Sequence, residues 1–185
     1  MRKNFGVKSW FYPQPVLIIG TYDENGNPDA MNAAWGGLYD GNKVELCLSA
    51  GHKTTKNIRA VGAFTVSFAD AANLVASDYV GLASANTEPK KMEKSGFHLT
   101  KSEFVNAPLI DELPVAMECK LVKINEDGNV IGEIVNVSAD ESVLGEDGNI
   151  DFFKFHPISF EPVHNGYHVL GERVGNAFQD GAALK

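Results

Sequence analysis

The sequence is poor in sulfur. Its 185 residues hold two cysteines, Cys47 and Cys119, far apart and with no CxxC, which argues against a zinc knuckle or a thioredoxin-type motif. Each lies in an apolar, strand-like run, so both are expected to be buried free thiols. Long apolar runs are also missing. Val16-Leu17-Ile18-Ile19 is far short of the roughly 20 residues a membrane helix needs. Met1–Gly6 has basic residues but no apolar core behind them. No signal peptide, no membrane partner and a cytoplasmic location are therefore expected. Basic charge is scarce: 16 Lys and Arg stand against 24 Asp and Glu, for a net charge of −8. That argues against a general nucleic-acid binder, whose footprint is basic. GxGxxG is absent, and Gly36-Gly37 runs into what reads as a turn at Tyr39-Asp40-Gly41-Asn42. Gly51-His52-Lys53-Thr54 lacks the glycine a P-loop needs before its lysine, and no GxSxG occurs. The five histidines are scattered, with no acidic residue at a familiar spacing, so no metal centre is expected.

The remaining composition is that of an ordinary globular chain, 44% hydrophobic and 22% charged. No linker, repeat or charge block divides it, so one domain over 1–185 is expected. Eighteen glycines and eight prolines are dispersed along it, which signals many short elements joined by turns. Strands are read at Val16–Tyr22, Met31–Trp35, Val44–Ser49, Phe64–Phe68, Val115–Ile124, Val130–Ser138, Phe152–Val163 and Tyr167–Leu170. In Val44–Ser49 the core side is Val44, Leu46 and Leu48, leaving Glu45, Cys47 and Ser49 outside. Short helices are read after Thr54 or Thr55 as N-cap, at Ala71–Val80 with Leu74, Val75 and Tyr79 facing inward, and at Glu88–Ser95 opened by Pro89. Strand–helix alternation is irregular. The expected fold is therefore mainly β (α+β), an antiparallel, closed or partly closed barrel with a few short peripheral helices.

One stretch reverses the sign of the chain. Gly51–Ala60 carries His52, Lys53, Lys56 and Arg59 and no acid. A helix starting there offers free N–H groups and the positive end of its dipole. With Thr54 and Thr55 hydroxyls and the Lys53 charge, such a place suits a phosphate; solvated surface lysines are the plainer alternative. Lys90-Lys91 opens the other short helix. The small residues of Met31-Asn32-Ala33-Ala34-Trp35 would let a flat ring approach the backbone. Asn32 could bond its polar edge, and Trp35 could stack on it or simply fill the core.

Tyr12–Tyr22, Asn27–Gly37, Asn57-Ile58, Phe64–Ser67, Asp78–Gly81, Ala107-Pro108, Glu118-Cys119, Gly132–Val137, Ala139–Leu144, Tyr167 and Leu170-Gly171 follow one another along nearly the whole chain. In order and spacing they resemble the flavin reductase-like family, flavoredoxins included. The resemblance implies an FMN-binding split β-barrel, normally a homodimer with the flavin near the subunit interface. It implies that Ser49 and His52-Lys53-Thr54 cradle the FMN phosphate, and that Asp29, Asn32, Trp35, the backbone of Cys47, Leu48 and Ser49, and Lys91 surround the flavin. It implies an FMN-dependent oxidoreductase using NADH or NADPH as transient donor. The alternatives are a flavoredoxin-type electron carrier reduced by a partner protein and a non-catalytic FMN-binding module. No catalytic side chain is required, because the flavin carries the redox chemistry. Two positions depart from the family. Asp29 stands where members often carry Asn, and an ionised carboxylate cannot donate to a flavin carbonyl. The histidine some members place before the second hairpin's Gly-Glu is missing, with Asn129 the nearest polar residue.

Overall fold

A computed structural model describes all residues, 1–185. The chain forms β1 (Gln14–Pro15), β2 (Leu17–Tyr22), β3 (Pro28–Ala33), β4 (Gly36–Asp40) and β5 (Lys43–Leu46). Next come α1 (Lys53–Val61), β6 (Ala63–Phe68), α2 (Leu74–Leu82), α3 (Lys91–Ser95), β7 (Leu99–Lys101) and β8 (Pro108–Ile110). The long hairpin β9 (Val115–Ile124) and β10 (Val130–Ala139) follows, then α4 (Phe152–Phe155), β11 (Ile158–Glu161) and β12 (Gly166–Val169).

Seven strands form one antiparallel sheet in the order β3-β2-β6-β9-β10-β5-β4, curled into a half-barrel. Strand β2 shows how the core is divided. Leu17 and Ile19 join Leu46, Ile58, Phe64 and Val66 inside the curl, whereas Val16 and Ile18 pack outward with Val80, Phe97 and Ile110. Successive strand residues face opposite sides, and both sides are covered. That is why this strand reads as an unbroken apolar run rather than an alternation. Burying each such side chain contributes about 1.5–3 kcal/mol. The β9–β10 hairpin carries register shifts at Ile131/Gly132 and Ile134/Asn136, and such bulges increase bend and twist.

Several sequence expectations are corrected. Helix α1 starts after His52, so Thr54 and Thr55 lie within it rather than capping it. Strand β3 ends at Ala33, and the turn read at Tyr39–Asn42 forms at Gly41-Asn42, with Tyr39 and Asp40 ending β4. Val75 is exposed. Ser77 and Val80 are the buried residues of α2, with Leu74, Ala76 and Tyr79 partly packed. Helix α3 begins only at Lys91. Phe152–Phe155 is a helical turn rather than a strand, because Asp151 accepts the Phe153 N–H at 2.8 Å and nucleates it. Trp35 is 58% exposed, so the core reading fails for it. Cys47 is exposed as well, because the alternation of Val44–Ser49 outweighs the general tendency of cysteine to be buried. No helix is long and apolar enough to cross a membrane.

The two thiols therefore differ. Burial, with the neighbouring Glu118 carboxylate, pushes the Cys119 thiol up to about 12. Desolvation and Glu45 also raise Cys47, but it stays accessible. A thiol reagent at about pH 8 should titrate one cysteine in the native protein and both in denaturant. Two fast equivalents in the native state would contradict the burial of Cys119.

Candidate functional site

The site begins with the seating of α1. The Thr55 hydroxyl donates to the Ser49 carbonyl at 2.8 Å, and Asn57 Nδ2 donates to Thr21 Oγ1 of β2 at 3.0 Å. The Thr54 hydroxyl donates to Asp29 Oδ2 at 2.7 Å. The helix start is thus bonded to β2, to β3 and to the end of the β5 segment. The first helical bond runs from Lys56 N–H to the His52 carbonyl at 3.2 Å, so the N–H groups of Lys53, Thr54 and Thr55 are left at the N-terminus. Asn86 Nδ2 ties the preceding loop by donating to the Gly51 carbonyl at 3.1 Å.

Asp29 is the centre of a buried ion pair. Lys91 Nζ donates to its Oδ1 at 3.0 Å, and the two side chains are only 3% and 2% exposed. Lys53 has its own partner, Asp23, at 3.2 Å. The backbone N–H of Asn27 contributes most to holding the Asp23 carboxyl down at about 2, with further bonds from the Asn27 side chain, Lys53 and the Asn25 N–H. Asn32 Nδ2 donates to the Ser77 carbonyl at 3.0 Å, which fixes β3 against α2. A Cβ at Gly81 would meet Asn32 Cβ at 2.9 Å, so glycine permits this close approach. Behind it, Tyr167 donates to Asp78 at 2.7 Å, and burial pushes its phenol up to about 12.

Asp29, Asn32, His52, Lys53, Thr54 and Lys91 line one cleft of about 230 Å³, closed along one side by Val80–Ala85. Trp35 and Cys47 line a second groove of about 370 Å³, together with Phe11, Gln14 and Glu45. Cys47 N–H donates to the Trp35 carbonyl at 2.8 Å, so the two residues meet just before β4 begins and just after β5 ends. The Leu48 side chain belongs to the core, which leaves only its backbone to meet a ligand. Ser49 is exposed and lines neither cavity. Asn129 Nδ2 donates to Glu45 Oε1 at 2.8 Å beside the second groove.

Six of the ten expected residues therefore share one cleft, and two more line the other. The acid-free character of Gly51–Ala60 does not survive folding, because Asp23 meets Lys53 from a distant turn. Lys91 is not the solvated lysine of the plainer reading. Sequence reasoning missed Asp23, Gln14, Asn86 and the Val80–Ala85 wall. Gly81 was the one visible signal, a glycine at the end of a helical pattern.

The structure resembles a flavoredoxin of Desulfovibrio vulgaris (Miyazaki F), at 36% identity and a TM-score of 0.94 over 98% of this chain and 100% of that one. It shares its fold with an FMN-binding domain of a flavin reductases-like enzyme from Shewanella baltica, at 21% identity and a TM-score of 0.78 over 88% of this chain and 89% of the other. An uncharacterized protein of Aquifex aeolicus is 34% identical over 74 residues, which span only 38% of this chain and 38% of that relative. The flavin reductase-like domain matches residues 9–161. With that match spanning most of its length, the chain belongs to the flavin reductase-like domain family.

Proposed function

We propose that the protein binds FMN and works as an NAD(P)H-dependent oxidoreductase. The observation that carries this reading is the start of α1, whose first N–H groups have no helical partner and whose His52, Lys53 and Thr54 line the cleft. Oriented donors, a helix dipole and a cation together suit a phosphate group. The donor set fits FMN: the cleft offers a seat for the phosphate, and the groove with Trp35 offers apolar walls for a ring. When bound, the flavin would supply hydride and electron transfer. The chain's own part is to anchor the phosphate through α1, to hold Asn32 against α2 and to keep water from one ring face with Trp35. Cys47, Leu48 and Ser49 would contribute backbone, and His52 a second group at the phosphate.

The likeness to a flavoredoxin over nearly the whole chain favours a second reading, an electron carrier reduced by a partner protein. A homodimer fits the exposed Phe11, Trp35, Leu38 and Tyr39, which leave apolar surface beside the second groove. Anaerobic titration of the FMN-loaded protein with NADH and with NADPH separates the readings. Rapid bleaching of the flavin band supports the oxidoreductase, and bleaching only by a reduced partner protein supports the carrier. A chain that binds no FMN at micromolar concentration overturns both.

Lys53→Ala should weaken FMN binding by about 1.5–3 kcal/mol, the range for a hydrogen bond to a charged group. Quenching of flavin fluorescence measures it. An unchanged Kd would remove Lys53 from the phosphate site.

A further inference from the structure

We infer that Asn86 makes the α1 cleft selective for a phosphate that ends its ligand, and shuts out one that runs on into a second nucleotide. Two walls face each other across this cleft. One is the start of α1, with His52, Lys53 and Thr54, and the other is the connection that leaves α2 through Ala83, Ser84 and Ala85. Asn86 follows directly on the second wall and reaches back to the first. Its Nδ2 donates to the Gly51 carbonyl at 3.1 Å, and its Oδ1 accepts from Lys56 Nζ at 3.2 Å. Gly51 and Lys56 lie on either side of His52–Thr54 in the chain, so one carboxamide spans the start of the helix. A carboxamide has a donor and an acceptor side by side, and here each is spent on one anchor.

The connection holds its own shape. The Ser84 carbonyl accepts the N–H groups of Thr87 at 3.0 Å and Glu88 at 2.8 Å, and Ser84 Oγ accepts the Asn86 N–H at 3.3 Å. Asn86 supplies both of its side-chain bonds to the opposite wall. The floor is closed as well. Lys91 is bonded to the buried Asp29 at 3.0 Å, and α2 stands so near β3 that a Cβ on Gly81 would meet Asn32 at 2.9 Å. The space between the walls is about 230 Å³. Pockets that hold a whole drug-sized ligand run to roughly 300–1,000 Å³, so this one suits the end of a ligand and not an adenylate beyond the phosphate. The phosphate of FMN ends the molecule. That of FAD continues, and its continuation would have to pass where Asn86 joins the walls. The inference rests on the flavin reading above, which supplies the phosphate.

FMN and FAD carry the same ring, so the ratio of their dissociation constants reports on the phosphate end alone. Both are titrated by calorimetry into the apoprotein. Wild type should prefer FMN. Asn86→Ala should narrow that preference about tenfold, the scale of the exposed hydrogen bonds it removes, and mainly by tightening FAD. Lys56→Met removes one of the two anchors and should narrow it less. A merely structural role for Asn86 would weaken both flavins alike and leave the ratio unmoved, which overturns the inference. A wild type that binds FAD as tightly as FMN overturns it too, and the flavin reading survives either result. A wild type that binds no FMN overturns the flavin reading, and the inference falls with it.

Discussion

Lys91→Met should cost about 3–5 kcal/mol of folding stability, the usual penalty for breaking a buried ion pair by removing one partner. The Lys91 and Asp29 side chains are 3% and 2% exposed, and their charged atoms are 3.0 Å apart. Without the ammonium, the Asp29 carboxylate keeps only the Thr54 hydroxyl among its side-chain donors. A domain is typically stable by only 5–15 kcal/mol, so the variant should unfold at a much lower urea concentration. The double variant Lys91→Met/Asp29→Leu should recover much of the loss, because apolar replacement of a whole buried pair is often close to neutral. Urea midpoints of the two single variants and the double complete the cycle. A single variant within about 1 kcal/mol of wild type would mean that the pair is hydrated in solution. The double variant also separates stability from binding: a stable fold with weakened FMN affinity would place the pair in the ligand site.

Gly132→Ala should be comparably harmful for a steric reason. A Cβ there would lie 2.3 Å from Phe64 Cζ and 2.8 Å from Cε1. Phe64 is fully buried, and Gly132 is held on both sides, paired with Val44 of β5 and Leu121 of β9. Overpacking usually costs about 1–3 kcal/mol, occasionally more, and so close a clash against a fixed ring belongs at the upper end. For a chain of this size about 3 kcal/mol corresponds to a fall in melting temperature on the order of 10 °C. Gly37→Ala is the control, since a Cβ at Gly37 meets nothing within 4 Å. Phe64→Leu should rescue part of the loss, and calorimetry of the pair would show the coupling as non-additivity. Equal melting temperatures for Gly132→Ala and Gly37→Ala would refute the close approach.

These two effects mark the limit of what the chain shows before it folds. The alternation of Val44–Ser49 is a local pattern, and it placed Glu45, Cys47 and Ser49 outside correctly. The clustering of His52, Lys53 and Thr54 at a helix start is also local, so that side of the cleft was legible. The pairing of Asp29 with Lys91 joins residues from β3 and α3, and no spacing rule connects them. Asp23 was read only as part of a turn, although the same turn carries its carboxylate to Lys53. Phe152–Phe155 misled because aromatic residues favour strands on average, whereas one capping aspartate decided the local outcome. Trp35 was open between core and surface, since a large aromatic suits a pocket wall as well as a core. Asn86 gave no signal, because a tie to Gly51 and Lys56 is a property of its surroundings and not of its neighbours in sequence.

The cleft is furnished with its own counterions. Asp23 answers Lys53 and Asp29 answers Lys91, so these four groups are electrically neutral before any guest arrives. On the FMN reading, a phosphate entering there would not meet a bare cation. It would compete with a carboxylate already in place, and Lys53, the more exposed of the two lysines, would be the one to change partners. Affinity would then be set by the difference between two anions in one position, and binding would be an exchange rather than a capture. Such a site can let its ligand go without leaving a positive charge stranded.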